Sequence, residues 1–353
     1  MSKIRKSFKI DSFKIGGNEP FIIAEVGINH NGEINKAFKL IDVAKKAGVS
    51  AVKFQTFKAE EFISDPNQKF TYYSQGEQVT ESMLEMFKRY EFNFQQWEEI
   101  SSYCQKQNIL FLSTPQNPSD LELLLKLNIK AIKIGSDDFN NIPLIKKYRK
   151  TKLPILISMG MANFSEVYNT LSELGTFNGY PTVLLLCTSS YPTDPIDVNL
   201  SKLLTLKGAF PNLILGFSDH TQGPLASSIA ASLGARVFEK HFTLDQNFPG
   251  PDHWFSENPD SLTEWVEGIK SALKMMGSPI IKPTKKEIQM KILARRSVVT
   301  LTDVSRGQVF SETNLGLKRP GNGLPPIFYE QIIGKKAIRD ISKGSRVDFG
   351  DFN

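Results

Sequence analysis

His220 in "GFSDHTQG" and His241 in "FEKHFT" lie 21 residues apart, and each closes a short apolar run. The chain has only four histidines in 353 residues, which makes two at such positions informative. Imidazoles on neighbouring strand ends, about 4.8 Å apart, can share one divalent metal. Two nitrogens with open positions suit a manganese-, iron- or cobalt-like Lewis acid better than a closed structural zinc. Lys53 in "AVKFQ" and Lys133 in "AIKIG" also sit in apolar runs. An ammonium there is costly unless it meets an anion. Thr114, Ser136, Ser158, Thr188, Ser189 and Ser218 stand at equivalent places and offer hydroxyls. Two lysines ringed by hydroxyls fit a phosphate or carboxylate ligand, and a structural ion pair is the competing reading for either one. Glu25, Gln55 and Glu239 complete this polar inventory. Asp252 in "FPGPDHWF" is a candidate acceptor for sugar hydroxyls, with His253 behind it; a plain Pro/Gly loop is the alternative. His30 in "INHNG" fits an Asn-Gly turn.

Chemistry gathered at strand ends needs parallel strands to present it. The sequence predicts strands at 21–28, 50–57 and 109–114, then in "IKAIKIGS", "LPILISMG", "TVLLLCTSS", "NLILGFS" and "ARVFEKHF". A helical pattern follows each one, from "EINKAFKLIDVAKKAG" (33–48), which should end on Gly48, to "PDSLTEWVEGIKSALKMM". A long polar insertion precedes the second helix, and "PSDLELLLKL" (118–127) opens with a Ser/Asp capping signal. Apolar runs without clean alternation are typical of parallel sheets covered on both faces. Eight strand–helix units predict a (β/α)8 TIM barrel, whose chemistry sits at the C-terminal strand ends. A doubly wound sheet is the alternative, but no GxGxxG follows the first strand. Past residue 292 the texture changes to short strands and Gly turns, and "DVSRGQVF" and "DISKGSRV" read as two copies of one unit. The expected organisation is a barrel over 1–276 with a short N-terminal leader, a Lys/Pro linker over 277–291, and a small β-rich domain over 292–353.

Composition narrows the classes. The net charge of +6 is spread without a block of like charges, which argues against a nucleic-acid tail and suits anionic small molecules. Cys104 and Cys187 have no metal-ligand spacing and read as inert small hydrophobes in a reducing compartment. No apolar run approaches a membrane span, and the start "MSKIRKSFKI" lacks the apolar core of a signal peptide, so a cytoplasmic protein without membrane partners is expected.

The motifs "IIAEVGINHNG", "AVKFQTF", "FLSTP", "KIGS", "NNIPLI", "CTSSYPT", "GFSDHT", "FEKHFTLD", "GPDHWFS" and "KRPGNG" occur in the order seen in the sialic acid synthase family. The chain resembles that family over nearly its whole length, including its C-terminal antifreeze-like (SAF) domain. The resemblance implies condensation of phosphoenolpyruvate with an N-acylated amino sugar to give a nine-carbon acid and phosphate. It implies that His220 and His241 hold a divalent metal, manganese by the family's habit, with cobalt or magnesium as alternatives. Lys53, Thr114, Lys133, Ser136, Ser158, Ser189 and Ser218 are similar to phosphoenolpyruvate-binding residues. Gln55, Tyr191 and Asp252 are similar to sugar-binding residues, as is Arg319 of "KRPGNG", which the family lends from a second protomer of a domain-swapped homodimer. Glu25 and Asp138 are the catalytic candidates, with Glu25 favoured.

Two positions depart from the family pattern. Asp138 in "GSDDF" stands where a glutamate is usual, and Ser189 replaces an amide donor. "KFQTF" in place of "KHQTH" is more similar to synthases of legionaminic acid and related sialic acid analogues. The rival readings are another metal-dependent barrel aldolase or phosphosugar synthase, and a non-catalytic sugar-binding protein.

Overall fold

The computed structural model describes residues 3–353, so Met1 and Ser2 at the start of the predicted leader lie outside it. The chain divides into two compact units, Met1–Gly277 and Ser278–Asn353.

The first unit is built on eight parallel strands: β1 (Phe21–Gly27), β2 (Ala51–Thr56), β3 (Leu110–Pro115), β4 (Ile132–Ile134), β5 (Ile155–Ser158), β6 (Thr182–Cys187), β7 (Ile214–Asp219) and β8 (Val237–His241). They hydrogen-bond in the order β3-β2-β1-β8-β7-β6-β5-β4. Strands β3 and β4 lie side by side without a ladder and bring the sheet round to a near-closed, TIM-like barrel. Each strand leads into a helix, as the alternating pattern requires. Gly48 closes Ile34–Ala47 as predicted: at φ 79° its N–H reaches the Ala44 and Lys45 carbonyls. The cap before Pro118 is Asn117, two residues before the predicted Ser119 signal; Asp120 answers it from the first turn by accepting the Asn117 N–H at 2.8 Å.

Side chains of a strand alternate between faces. The outward set packs under the helices in one large apolar cluster that includes Ile22, Ala24, Phe54, Leu184 and Phe217. The inward set changes character along most of the strands. Near the N-terminal ends, Ile23, Ala51, Leu112, Ala131, Leu156, Val183, Ile214 and Val237 form a second apolar cluster. Ile10 and Ile15 join it from a hairpin of Phe8–Ile10 and Phe13–Ile15. The predicted leader is therefore a plug in the bottom of the barrel. Two residues further along six of these strands, the inward positions are Glu25, Lys53, Thr114, Lys133, Ser158 and Glu239, while β6 and β7 have Leu185 and Gly216 there.

The insertion after β2 is also structured. A short helix, Ala59–Phe62, precedes a hairpin of Lys69–Ser74 and Glu77–Ser82, and then the helix Met83–Lys88.

In the second unit, Ser297–Thr300 pairs antiparallel with Leu315–Lys318 over a core of Val298, Val304, Phe310, Ile332 and Ile341. The two predicted repeats pair with each other. Val304 and Ile341 exchange N–H···O bonds of 2.8 Å. Asp340 accepts the Arg306 N–H and Asp303 accepts the Lys343 N–H, both at 2.7 Å. The segment read as linker contains much of a helix, Lys285–Ala294, opened by a Thr284–Glu287 capping box and without a buried residue.

Candidate active site

The inward polar layer of the barrel forms one connected cluster. Lys53 Nζ lies 2.7 Å from Glu25 Oε2, donates to Thr114 Oγ1 at 3.0 Å, and is 3.8 Å from Glu239. Lys133 Nζ donates to Ser158 Oγ at 2.8 Å and lies 3.4 Å from Glu239 Oε1. Ser218 Oγ donates to the same Glu239 oxygen at 3.2 Å. Both lysines are buried, and each is matched by a carboxylate. Glu239 is the hub. It stood in the strand-end inventory, but no family motif assigned it a role, and its reach to both lysines depends on barrel closure.

These charges set one another's proton affinity. Burial pulls the Lys53 ammonium down, but Glu239 and Glu25 outweigh it and hold it above its usual value. Burial pushes the Glu239 carboxyl up, but Lys133 and Lys53 outweigh it and hold it below. For Glu25 burial wins over Lys53 and, with Glu239 nearby, raises it to about 7. A carboxyl at that value can give or take a proton near neutrality.

Ser136 and Ser189 converge beside this cluster over Gly160, whose N–H donates to Ser136 Oγ at 3.0 Å. A Cβ at Gly160 would press on both hydroxyls, so glycine makes room for the pair.

The two strand-end histidines meet as expected from adjacent β7 and β8, with ring centroids 5.6 Å apart. His220 Nδ1 faces the Thr188 carbonyl at 2.8 Å and so carries a proton. Burial pulls the His220 ring down, but Cys187, the Thr188 carbonyl and Glu239 outweigh it and hold it above its usual value. His241 Nδ1 is buried without a hydrogen-bond partner, 3.7 Å from Asp252 Oδ2. Burial holds His241 well below its usual value and so neutral. A neutral His241 ring with an unpaired buried nitrogen beside a second imidazole fits a metal with open positions. Among the described residues no set of three or more His, Cys, Asp or Glu joins them.

Gln55 Nε2 lies 3.4 Å from Glu25 Oε1, and the Tyr191 ring sits 4.2 Å from His220. At Gly27, with φ 53°, a Cβ would come within 3.5 Å of Asp252, His241 and Glu25, which marks the point where they converge. Burial raises the Asp252 carboxyl to about 6. Asp138 is not brought into this group: its Oδ1 accepts from Asn141 Nδ2 at 2.8 Å in the turn before Ile142–Lys150. Arg319 belongs to the second unit, where it is exposed at the end of Leu315–Lys318. The Pro320 carbonyl there accepts from Ser297 Oγ at 2.7 Å.

The remaining histidines fasten loops. His30 is buried against Phe92, with centroids 4.3 Å apart, and accepts the Gly32 N–H. His253 is hydrogen-bonded to Thr243 and Asn31. Cys187, read as inert, has its Sγ 3.9 Å from His220 Nδ1. Behind the histidine pair is a buried group that sequence reasoning missed. Lys240 Nζ lies 3.1 Å from Asp219 Oδ2 and 3.4 Å from Glu257 Oε1. The available signal was a charged residue directly before each histidine, on the opposite strand face.

A TIM-like barrel with a buried ion cluster and a histidine pair at the C-terminal strand ends has the construction of a barrel enzyme. Residues 40–281 match the NeuB family and residues 295–352 match the SAF domain. The chain belongs to the NeuB family and is an enzyme of the sialic acid synthase type, a transferase that forms carbon–carbon bonds. It is 41% identical to an N,N'-diacetyllegionaminic acid synthase of Campylobacter jejuni, over 90% of this chain and 96% of the relative. It is 36% identical to the Legionella pneumophila enzyme of that name, over 96% of each chain. The crystal structure of an N-acetylneuraminic acid synthetase from Leptospira borgpetersenii is similar, with a TM-score of 0.72 and 32% identity over 81% of this chain and 95% of that one.

Proposed function

We propose that the protein condenses phosphoenolpyruvate with an N-acylated amino sugar, N-acetylmannosamine or a 2,4-diacetamido relative, giving a nonulosonic acid and free phosphate. The observation that carries this reading is the Lys53–Glu25–Glu239–Lys133 cluster, lined with hydroxyls and set against the histidine pair. Lys53, Lys133, Thr114 and Ser158 hold the anionic partner, with Ser136, Ser189 and Ser218 supplying further donors. Gln55, Tyr191 and Asp252 orient the open-chain sugar so that its aldehyde faces the enol carbon. That carbon bonds to the aldehyde carbon. Water then adds to the second carbon of the former phosphoenolpyruvate, and phosphate leaves by C–O cleavage. Glu25 takes the proton from that water; its affinity near neutrality and its place beside Gln55 favour it over Asp138, which is engaged by Asn141. His220 and His241 would hold a divalent metal, manganese or a similar ion, which supplies Lewis-acid stabilisation of the alkoxide that forms from the aldehyde.

The second unit completes the site from a partner protomer in this reading. The exposed helix Lys285–Ala294 and the segment before it leave Ile280, Ile281, Ile288, Met290 and Leu293 uncovered, and Arg319 is exposed on its loop. A second copy of the chain would bury the one and use the other. No described helix is long and apolar enough to cross a membrane, and both cysteines are free and buried, which agrees with a cytoplasmic enzyme.

The test is phosphate release from phosphoenolpyruvate without nucleotide. It should need an N-acyl sugar and a divalent ion, and His220→Ala should lose both metal binding and turnover. Release that ignores the sugar or survives chelation would defeat the reading. Mixing inactive Arg319→Ala with inactive His220→Ala protomers should restore activity, because one site in each mixed dimer is then whole. Verified subunit exchange without recovery removes the shared site.

A further inference from the structure

His220 and His241 end separate strands, and one metal ion needs their rings at one spacing. The groups that fix that spacing lie behind the pair. Asp219 and Lys240 directly precede the two histidines and are register partners in the β7–β8 ladder. Side chains alternate along a strand, so these two turn away from the barrel interior. Neither is more than 2% exposed.

Lys240 Nζ lies 3.1 Å from Asp219 Oδ2 and 3.4 Å from Glu257 Oε1. It also donates to the Thr221 carbonyl and, at 3.1 Å, to the Gly223 carbonyl. The ammonium therefore grips the chain on both sides of His220, by the side chain before it and by two carbonyls after it. Asp219 Oδ1 holds the same turn, accepting the Thr221 N–H at 2.9 Å and the Thr221 hydroxyl at 2.7 Å. Asp219 Oδ2 accepts from Ser227 Oγ at 2.6 Å, and Ser227 Oγ accepts the Trp265 Nε1–H at 2.8 Å. These two bonds tie the group to the helices Leu225–Leu233 and Pro259–Met276. Glu257 fastens the other histidine. Its N–H donates to the His241 carbonyl at 2.9 Å, while its carboxylate accepts the Gly223 N–H at 2.8 Å. One residue thus bonds both the backbone of His241 and the turn that follows His220.

Stability alone does not account for this arrangement. An ammonium and two carboxylates taken out of water gain little over well-packed apolar residues of similar volume. Apolar residues would, however, leave the Thr221 and Gly223 carbonyls without their donor. What the ions add is direction, because their bonds end on the segments that flank the two histidines. We infer that Lys240, with Asp219 and Glu257, is a positioning group that holds the two imidazoles at the spacing a single divalent ion requires. The inference rests on the metal role given to the histidine pair and adds the residues that act through it.

The test measures Mn²⁺ binding to the full-length, metal-free protein by electron paramagnetic resonance, without turnover. Wild type should bind the ion and His220→Ala should not. Lys240→Met keeps the length of the side chain and drops its charge, and its dissociation constant should rise about 10- to 100-fold. Glu257→Gln keeps an acceptor for the Gly223 N–H, so it reports even if Lys240→Met does not fold; its constant should rise about tenfold. The neutral triple variant Lys240→Met, Asp219→Asn, Glu257→Gln should bind as weakly as Lys240→Met. Leu112→Ala, in the apolar layer of the barrel, should lower the melting temperature and leave the constant at the wild-type value. Wild-type affinity in Glu257→Gln and in the folded Lys240 variants overturns the inference and leaves the metal reading standing. So does an equal loss of affinity in Leu112→Ala, which would show that binding only follows stability. A wild-type protein that binds neither Mn²⁺ nor Co²⁺ removes the metal reading and the inference together.

Discussion

The lower and upper halves of the barrel interior are made by the same strands, two residues apart. Below, Ile23, Ala51, Leu112, Ala131, Leu156 and Val237 pack with the plug residues Ile10 and Ile15. Above, Glu25, Lys53, Thr114, Lys133, Ser158 and Glu239 occupy the next inward positions. The lower layer gains from removing apolar area from water and needs no partner of particular shape. The upper layer takes four charges out of water and is stable only because each lysine finds carboxylates and hydroxyls at hydrogen-bonding distance. One layer holds the barrel shut, and the other spends that stability on a preorganised polar site. This division explains why the plug belongs at the bottom: the chemistry needs the top open.

Breaking the upper layer should have the largest effect. Lys53→Met leaves Glu25 without its nearest cation, and we expect about 3–5 kcal/mol of lost stability together with loss of turnover. A Lys53→Met, Glu25→Leu double variant should recover much of the denaturant midpoint and none of the activity. If the single variant is as stable as wild type, the cluster is not a charge-balanced unit. Breaking the lower layer should cost stability alone. Leu112→Ala should lose about 2–5 kcal/mol in urea unfolding while the KM for phosphoenolpyruvate stays put; a shifted KM would show that the layers are coupled. Gly160→Ala tests the rim of the upper layer. Its Cβ would displace the Ser136 and Ser189 hydroxyls, so the KM for phosphoenolpyruvate should rise about tenfold with little change in melting temperature. Kinetics matching wild type would take those two serines out of the site.

The smallest effect is on pH dependence. Glu25 is raised from 4.5 to about 7, so the folded state binds its proton more tightly than the unfolded chain. Its contribution to stability is full below the unfolded value and is lost as pH rises through about 7. Glu25→Gln should therefore flatten the fall of the melting midpoint between about pH 5 and 8. An unchanged slope would assign that titration to another group.

Much of the barrel was legible because strand and helix periodicities are local. Gly48 ended its helix where the pattern said, since only a left-handed residue closes that turn readily. His220 and His241 were legible as a pair because adjacent parallel strands must place their ends together. The cap at Asn117 was missed by two residues, because Ser119 and Asp120 carry the same capping chemistry and only the backbone selects among them.

What the sequence determined by itself was the order of elements, the polar character of every strand end and the presence of a separate Gly-turn domain, all properties of residues close in the chain. The tertiary structure decided which charges meet. Glu239 joins Lys53 and Lys133 only because the sheet curls until β8 stands beside β1 and across from β4. It also decided that the leader is a plug and that the insertion after β2 is a hairpin fastened to the loop after β8, since the partners of Ile10, Ile15 and Ser74 lie far away in sequence. Asp138 shows the same limit from the other side. It carries the right group in the right motif, yet a local amide at Asn141 takes its carboxylate while Glu25, on the barrel's inner face, meets the lysine. Long-range electrostatic partners depend on how strands curl and close, and residue type and spacing do not encode that directly.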